Sequence, residues 1–303
     1  MFDTFKNRLE LTGTLTTVTA LRISAGRSSE PIGSDLPVIK DAFGRPLIPG
    51  SSFKGAMRSR LESFLRGIRE DLAVDPGELT ESDWQNRIKA LKEQYKNNDA
   101  MLTTEILKPE NTDMVSHLFG SPWLAGKFQV RDLTVQADAW FGQYQERDGV
   151  AIDRDTETAA DGKLYDYQVV PAGTPFEFRA IVENAEEWEL GLLRIGLHQF
   201  KTEQIPLGGG RSRGLGVVRL ENLMLKWFDA RVDGDPTQTD PNKLIQYLKK
   251  ITGVEVEGKP AYVDVSKQQC DQWIRQLIDY LEQRSSLQSP QQVVTEVSTV
   301  EES

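Results

Sequence analysis

The sequence is poor in the residues that build metal–thiolate and disulfide scaffolds. Its 303 residues include one cysteine, Cys270, and two histidines, His117 and His198. A lone thiol closes no internal disulfide and suits a reducing compartment, so a cytoplasmic protein is expected. Zinc sites made from Cys and His are excluded by the shortage of both. No apolar run approaches the roughly 20 residues that cross a bilayer, so no membrane partner is expected. The first residues, MFDTFKNRLE, lack the apolar stretch of a secretory signal. The one G-x-S-x-G pattern, Gly210-Arg211-Ser212-Arg213-Gly214, has a helix before it and valines after it, not the strand and helix that frame a nucleophile elbow, which argues against a Ser-His-Asp hydrolase. Both histidines read as structural. Basic charge is also scarce: 36 Lys and Arg stand against 46 Asp and Glu, a net charge of −10. That balance speaks mildly against nucleic acid as a partner, but binding depends on local patches.

The charge is unevenly placed. Residues 1–66 carry ten basic and six acidic side chains, whereas residues 229–303 carry eight basic and thirteen acidic. The two ends therefore have opposite sign. The length allows one large domain or two ordinary ones, with a core that needs no staple. Leu9, Leu11, Gly13 and Leu15 alternate with polar or β-branched neighbours, so residues 8–25 read as a half-buried strand. Leu36–Lys40 is a second extended piece, and Asp41–Pro46 is a turn. A helix follows from Ser51 or Ser52, either a natural N-cap, to about Arg66, with Met57, Leu61, Phe64 and Leu65 as its apolar face.

Residues 67–112 are polar, with a helix predicted near Ser82–Asn98 from Trp84, Ile88, Leu91 and Tyr95. Lys127–Phe141 alternates again, residues 142–164 form a long hairpin or loop, and Val169–Val182 is β-like. Ala185–Phe200 is an amphipathic helix, and a glycine-rich loop then enters a strand reaching about Leu225. The interleaving, β-β-α then β-β-α-β, suits a ferredoxin-like α+β core with insertions. Asn242–Ile251 and Gln268–Arg284 read as helices of a small appendage. Ser285–Ser303 has no aromatic residue and much Ser, Thr, Gln and Glu, so it is expected to be disordered. There is no internal repeat.

Three segments carry possible chemistry. Gly208-Gly209-Gly210-Arg211-Ser212-Arg213-Gly214-Leu215-Gly216 places five glycines and two arginines beside or near one another. Glycines bring backbone N–H groups close to a phosphate, and the arginines add charged donors. The helix before it and the valines after it exclude a dinucleotide fingerprint, and there is no Lys-Ser/Thr pair of a P-loop. A flexible hairpin or tight packing beside a helix is the plainer reading. Ile48-Pro49-Gly50-Ser51-Ser52-Phe53-Lys54-Gly55-Ala56-Met57-Arg58 opens a helix whose free N–H groups suit phosphate, with Lys54 and Arg58 on one face. Gly55 weakens that helix, which suggests a close approach there. An ordinary capped surface helix is equally consistent. Asp35, in the loop Ser28–Asp35, is either a turn former or a group acting as a metal ligand or beside a ribose 2′-hydroxyl.

Taken in order, Asp35–Asp41, Gly44–Arg58, Leu118-Phe119-Gly120 and Gly208–Gly216 resemble the RAMP superfamily, the repeat-associated proteins of CRISPR systems. The resemblance spans roughly residues 8–225 and is nearest to the repeated backbone subunit of type III effector complexes. It implies a ferredoxin-like or RRM-like core over residues 1–228, with an insertion at about 67–115 and a thumb hairpin at about 142–170. Residues 229–284, a helical extension, and the tail lie outside it. It also implies copies, or paralogous RAMP subunits, stacked along a guide RNA with the large signature subunit and small subunits of such a complex. The RNA contacts would come from Arg22, Lys40, Gly50, Ser51, Ser52, Lys54, Arg58, Gly209, Gly210, Arg211, Ser212 and Arg213. Ile152, Leu164 and Tyr165 would wedge into the guide–target duplex and displace a base. Asp35 stands immediately before Leu36-Pro37-Val38, where active members cleave complementary target RNA with Mg²⁺ or another divalent metal, leaving a 2′,3′-cyclic phosphate. Here Leu21-Arg22-Ile23-Ser24-Ala25-Gly26 departs from the His and two Gly many relatives carry at the first-strand exit. The alternatives are a backbone subunit that binds guide RNA without cleaving, and a guide-maturation enzyme, ranked last for want of a well-placed histidine.

Overall fold

The computed structural model describes residues 4–24, 26, 36–152, 159–233, 235–254 and 261–286. The loop holding Asp35 and the segment from 287 to the end, for which disorder is expected, lie outside the described residues. The strands are β1 (Asn7–Thr17), β2 (Leu47–Ile48), β3 (Phe128–Val130), β4 (Leu133–Thr134), β5 (Gln145–Ile152), β6 (Ala159–Val169), β7 (Pro175–Glu183), β8 (Val218–Asp229), β9 (Arg231–Val232), β10 (Asp235–Thr239) and β11 (Val263–Asp264). The helices are α1 (Gly50–Ile68), α2 (Ser82–Gln94), α3 (Asp99–Ile106), α4 (Met114–Phe119), α5 (Glu187–Lys201), α6 (Pro241–Ile251) and α7 (Lys267–Ser286).

The main sheet has the antiparallel order β11-β8-β1-β7-β3. Leaving aside the edge strand β11, two β-α-β units interlock, with α1 between β1 and β3 and α5 between β7 and β8. This is the ferredoxin-like arrangement expected from the pattern. Leu9, Leu11 and Leu15 of β1 are buried on the helix side. Phe53 of α1 stacks on Phe200 of α5 at 4.2 Å and packs on Phe178 of β7 at 4.9 Å, joining both helices to the sheet. The opposite sheet face is polar: Arg8 pairs with Glu183 at 2.7 Å and with Glu10 at 3.2 Å.

Several expectations need correction. β1 ends at Thr17, short of the expected strand over 8–25, because Thr17 binds the turn before β7: its hydroxyl donates to the Pro171 carbonyl and receives the Thr174 N–H. The apolar stripe of α1 is Phe53, Met57, Leu61 and Leu65; Phe64 falls off that four-residue spacing and is exposed. The helix predicted at Ser82–Asn98 stops at Gln94, and a separate helix, α3, begins after Asn98, whose side chain accepts the Met101 N–H. Nor is α7 an appendage. Cys270, Trp273 and Leu277 belong to the main core, and a methyl group on Gly191 of α5 would collide with the Trp273 carbonyl. Trp227 of β8 meets Trp273 edge-on at 5.7 Å.

The expected hairpin is present as β5 and β6, paired from Gln145↔Val169 to Ile152↔Ala159. Gly149 faces Tyr165 across it, and the Tyr165 ring occupies the space a side chain at 149 would need.

Candidate nucleic-acid interface

Four chain segments meet where β1 ends. The glycine loop is built as a short 3₁₀ turn, Arg211–Arg213, between Gly210 and Gly214, both at positive φ. Gly208 and Gly216 also have positive φ, and a methyl on either would strike a carbonyl oxygen, that of Arg22 or of Leu207. The loop is thereby stitched to the β1 exit: the Gly209 N–H donates to the Arg22 carbonyl at 2.9 Å and the Gly216 N–H to the Ala20 carbonyl at 2.9 Å. The plain reading of tight packing therefore holds for Gly208 and Gly216. Gly209 faces open space, and Arg211, Ser212 and Arg213 are exposed.

The segment after Asp35 joins the same corner. Leu36 bridges to Tyr167 of β6, the Gln168 N–H donates to the Leu36 carbonyl at 3.1 Å, and Ser24 bridges to Val38. Leu36 and Tyr165 pack on a small cluster of Ala20, Tyr167, Val169 and Leu215. Asp35 itself lies outside the described residues. Two Arg–Tyr pairs tie the hairpin base to its neighbours. The Arg22 guanidinium lies 4.8 Å from the Tyr167 ring centroid, and Arg213 donates to the Tyr165 hydroxyl at 3.0 Å. The bond from Arg213, with the charge of Arg22 nearby, lowers the Tyr165 phenol below its ordinary value. The Arg22 Nε is buried and without a hydrogen-bond partner among the described residues. Ile152 and Leu164 lie on the two hairpin strands, with only their backbone described.

The start of α1 forms a second surface beside the glycine loop. Ser51, Ser52, Gly55, Ser59, Gly208 and Arg211 line a groove of about 520 Å³. Neither Ser51 nor Ser52 is the N-cap, as the spacing suggested. Pro49 holds that position, and the Gly50 N–H is taken by the Asp132 carboxylate at 2.8 Å. That leaves both serine side chains to the groove. Gly55 has nothing among the described residues within contact range of an added methyl, so no described segment approaches it, contrary to expectation; its bareness widens the groove instead.

Lys54 and Arg58 do share a helix face, but they turn toward α4 and away from this groove. Arg58 donates to Glu62 at 2.6 Å and to the Gly120 carbonyl at 2.9 Å. Burial, and then the charge of Arg58, lower the Lys54 pKa. In the Leu118-Phe119-Gly120 motif, Gly120 has positive φ and packs directly on Gly126. Lys40 sits over the Tyr144 ring, 4.4 Å from its centroid.

His198 is exposed on α5. His117 lies 3.6 Å from Glu189, which also takes Lys127 at 2.7 Å. Burial would raise the Glu189 carboxyl, but Lys127 and His117 outweigh it and hold it below its ordinary value. Tyr167 was not foreseen, because its cation partner is far along the chain; its spacing of two from Tyr165, which puts both on one face of β6, was the available signal. Among the described residues no cluster of three or more His, Cys, Asp or Glu side chains could hold a metal ion. No helix among them is long and apolar enough to cross a membrane.

Comparison with known proteins adds independent evidence. Over 231 residues the chain is 27% identical to the CRISPR system Cms endoribonuclease Csm3 of Methanocaldococcus jannaschii, covering 73% of this chain and 82% of that one. It is 25% identical over 215 residues to the protein of the same name from Enterococcus italicus, covering 70% and 89%. It is 28% identical over 211 residues to that from Streptococcus thermophilus, covering 68% and 83%. The sequence model described as RAMPs, RAMP superfamily, matches residues 14–219, which run from within β1 through the glycine loop to the start of β8. With the ferredoxin-like sheet and the stitched glycine loop, that match makes the chain a member of the RAMP superfamily.

Proposed function

We propose that this chain is an RNA-guided endoribonuclease subunit of a type III CRISPR complex, which holds guide RNA by its backbone and cleaves complementary RNA beside Asp35. One observation carries the reading. The β1 exit, the residue after Asp35, the hairpin base and the glycine loop converge on one corner, held by Leu36, Tyr165, Tyr167 and Leu215. The relatives named above are CRISPR endoribonucleases, which supports both the nuclease activity and its setting.

The division of labour follows from the chemistry. Arg211, Ser212 and Arg213 offer donors to phosphate without reading sequence, and the bare Gly209 leaves room for the backbone to come close. Ser51 and Ser52 line the groove beside them. Arg22, whose guanidinium lies over the Tyr167 ring, offers one more cation in place of the relatives' histidine. Tyr165 is held by Arg213, so the hairpin that would displace a target base is braced against the loop that would hold the guide. A displaced nucleotide frees its ribose 2′-hydroxyl to align with the adjacent phosphate, and orientation of that kind accelerates attack strongly. The products would be a 2′,3′-cyclic phosphate and a 5′-hydroxyl.

A free carboxylate near pKa 3.9 is a weak base at neutral pH, so Asp35 acts mainly by positioning. A divalent ion at this corner would be held by Asp35 together with waters and the RNA phosphates. Bound there, Mg²⁺ would supply charge stabilisation at the phosphate. The alternative, a subunit that binds without cutting, has the same interface and differs only at Asp35. Target cleavage by the assembled complex, with Asp35→Ala beside the unaltered protein, separates the two.

A further inference from the structure

Two of the three phenylalanines that the described residues leave exposed stand on loops that touch each other: Phe43, 82% exposed, and Phe141, 64% exposed. The turn carrying Phe43 is built, because Asp41 accepts the N–H groups of Phe43 and Arg45 at 2.9 Å each. Tyr144 joins the two loops by donating its hydroxyl to the Gly44 carbonyl at 2.7 Å. Its ring lies 5.1 Å from Trp140, which lies 5.6 Å from Phe141. Trp140 and Tyr144 also pack on the main core, so the exposed rings rest on a fixed base. Two cations lie over the rings: Lys40 Nζ at 4.4 Å from the Tyr144 centroid, and the Arg45 guanidinium, which also pairs with Asp41 at 2.9 Å, at 4.9 Å from that of Phe43. Burial, together with the charge of Asp41, raises the Tyr144 phenol to about 12, which keeps its hydroxyl protonated and able to donate.

Singly exposed apolar side chains are ordinary, but a supported aromatic patch of this kind is not. We propose that this shelf binds unpaired RNA, with bases stacking on Phe43 and Phe141 and phosphates meeting Lys40 and Arg45. Rings flanked by cations suit the π-faces of bases and the backbone charge beside them. The core of a protein–protein interface, by contrast, is depleted in lysine. The proposal rests on the function given above for the identity of the polymer, and adds a second contact to it.

The test uses the purified full-length chain, titrated with labelled U-rich RNA of about 20 nucleotides and with duplex RNA of equal length, at several salt concentrations. Phe43→Ala with Phe141→Ala should weaken single-strand binding about tenfold, leaving the salt slope and the duplex affinity unchanged. Phe43→Trp with Phe141→Trp should retain affinity. Both phenylalanines are exposed, so the melting temperatures of these variants should match the unaltered protein. Equal single-strand affinity in the double alanine variant overturns the proposal. So does a variant that keeps its RNA affinity but loses self-association, which would make the shelf a contact between copies. Arg211→Ala with Arg213→Ala tests the glycine-loop reading separately: unchanged binding there defeats that reading, while a tenfold loss at Phe43 and Phe141 still supports the shelf.

Discussion

At the residue scale, the sharpest constraints are two glycines and one buried carboxylate. Gly208 and Gly216 hold positive φ with a carbonyl oxygen where a side chain would begin. Alanine at either should destabilise the fold by at least about 1 kcal/mol and weaken RNA binding, measured by thermal unfolding and titration. Glu189 is fully buried between Lys127 and His117. Glu189→Ala leaves Lys127 buried and unpaired and should cost about 3–5 kcal/mol in denaturant unfolding. The folded carboxyl has a pKa below its ordinary 4.5, so its stabilisation is complete above that pH and is lost as pH falls through the depressed value. Acid unfolding of the unaltered protein should therefore steepen below about pH 4.5, and Glu189→Gln should flatten it. Part of this was readable in advance. Five glycines in the Gly208–Gly216 stretch announced unusual backbone, and the serines at 51 and 52 do line the groove next to it. That Lys54 and Arg58 turn toward α4 was not readable, because it depends on helix phase and on Glu62 one turn further on.

At the element scale, the strands with clean alternation and the helices with a long apolar stripe were legible, as β1, α1 and α5 show. The short elements were not. β3 and β4 have three and two residues, too few for periodicity, and α3 has no apolar stripe. The place of α7 was hidden for a different reason. Its buried side is visible only against Gly191 of α5, a contact between distant parts of the chain. Because Trp273 is buried against Trp227 and α5, Trp273→Ala should cost about 3–5 kcal/mol, read from denaturant unfolding. For the same reason, deletion of residues 229–303 should yield misfolded protein, and it is a poor test of what the extension does.

At the scale of the whole molecule, the proposed reading lets an acidic chain hold RNA by gathering its donors. Arg22, Arg211 and Arg213 stand with open backbone at one corner, while the excess of acid lies toward the C-terminal end. Guide binding should therefore fall linearly with the logarithm of salt concentration, and Arg211→Ala with Arg213→Ala should reduce that slope by about two phosphate contacts. In the proposed reading, the RNA corner and the hairpin brace serve chemistry at Asp35. The most direct test assembles the complex on a guide RNA and follows cleavage of an end-labelled complementary RNA with and without Mg²⁺. Asp35→Ala is compared with the unaltered protein, and target binding is measured in parallel. The account predicts Mg²⁺-dependent cuts ending in 2′,3′-cyclic phosphate that disappear in the variant while target binding persists. Undiminished cutting by the variant, or no cutting by the unaltered complex, would contradict it and leave a subunit that holds RNA without cleaving it.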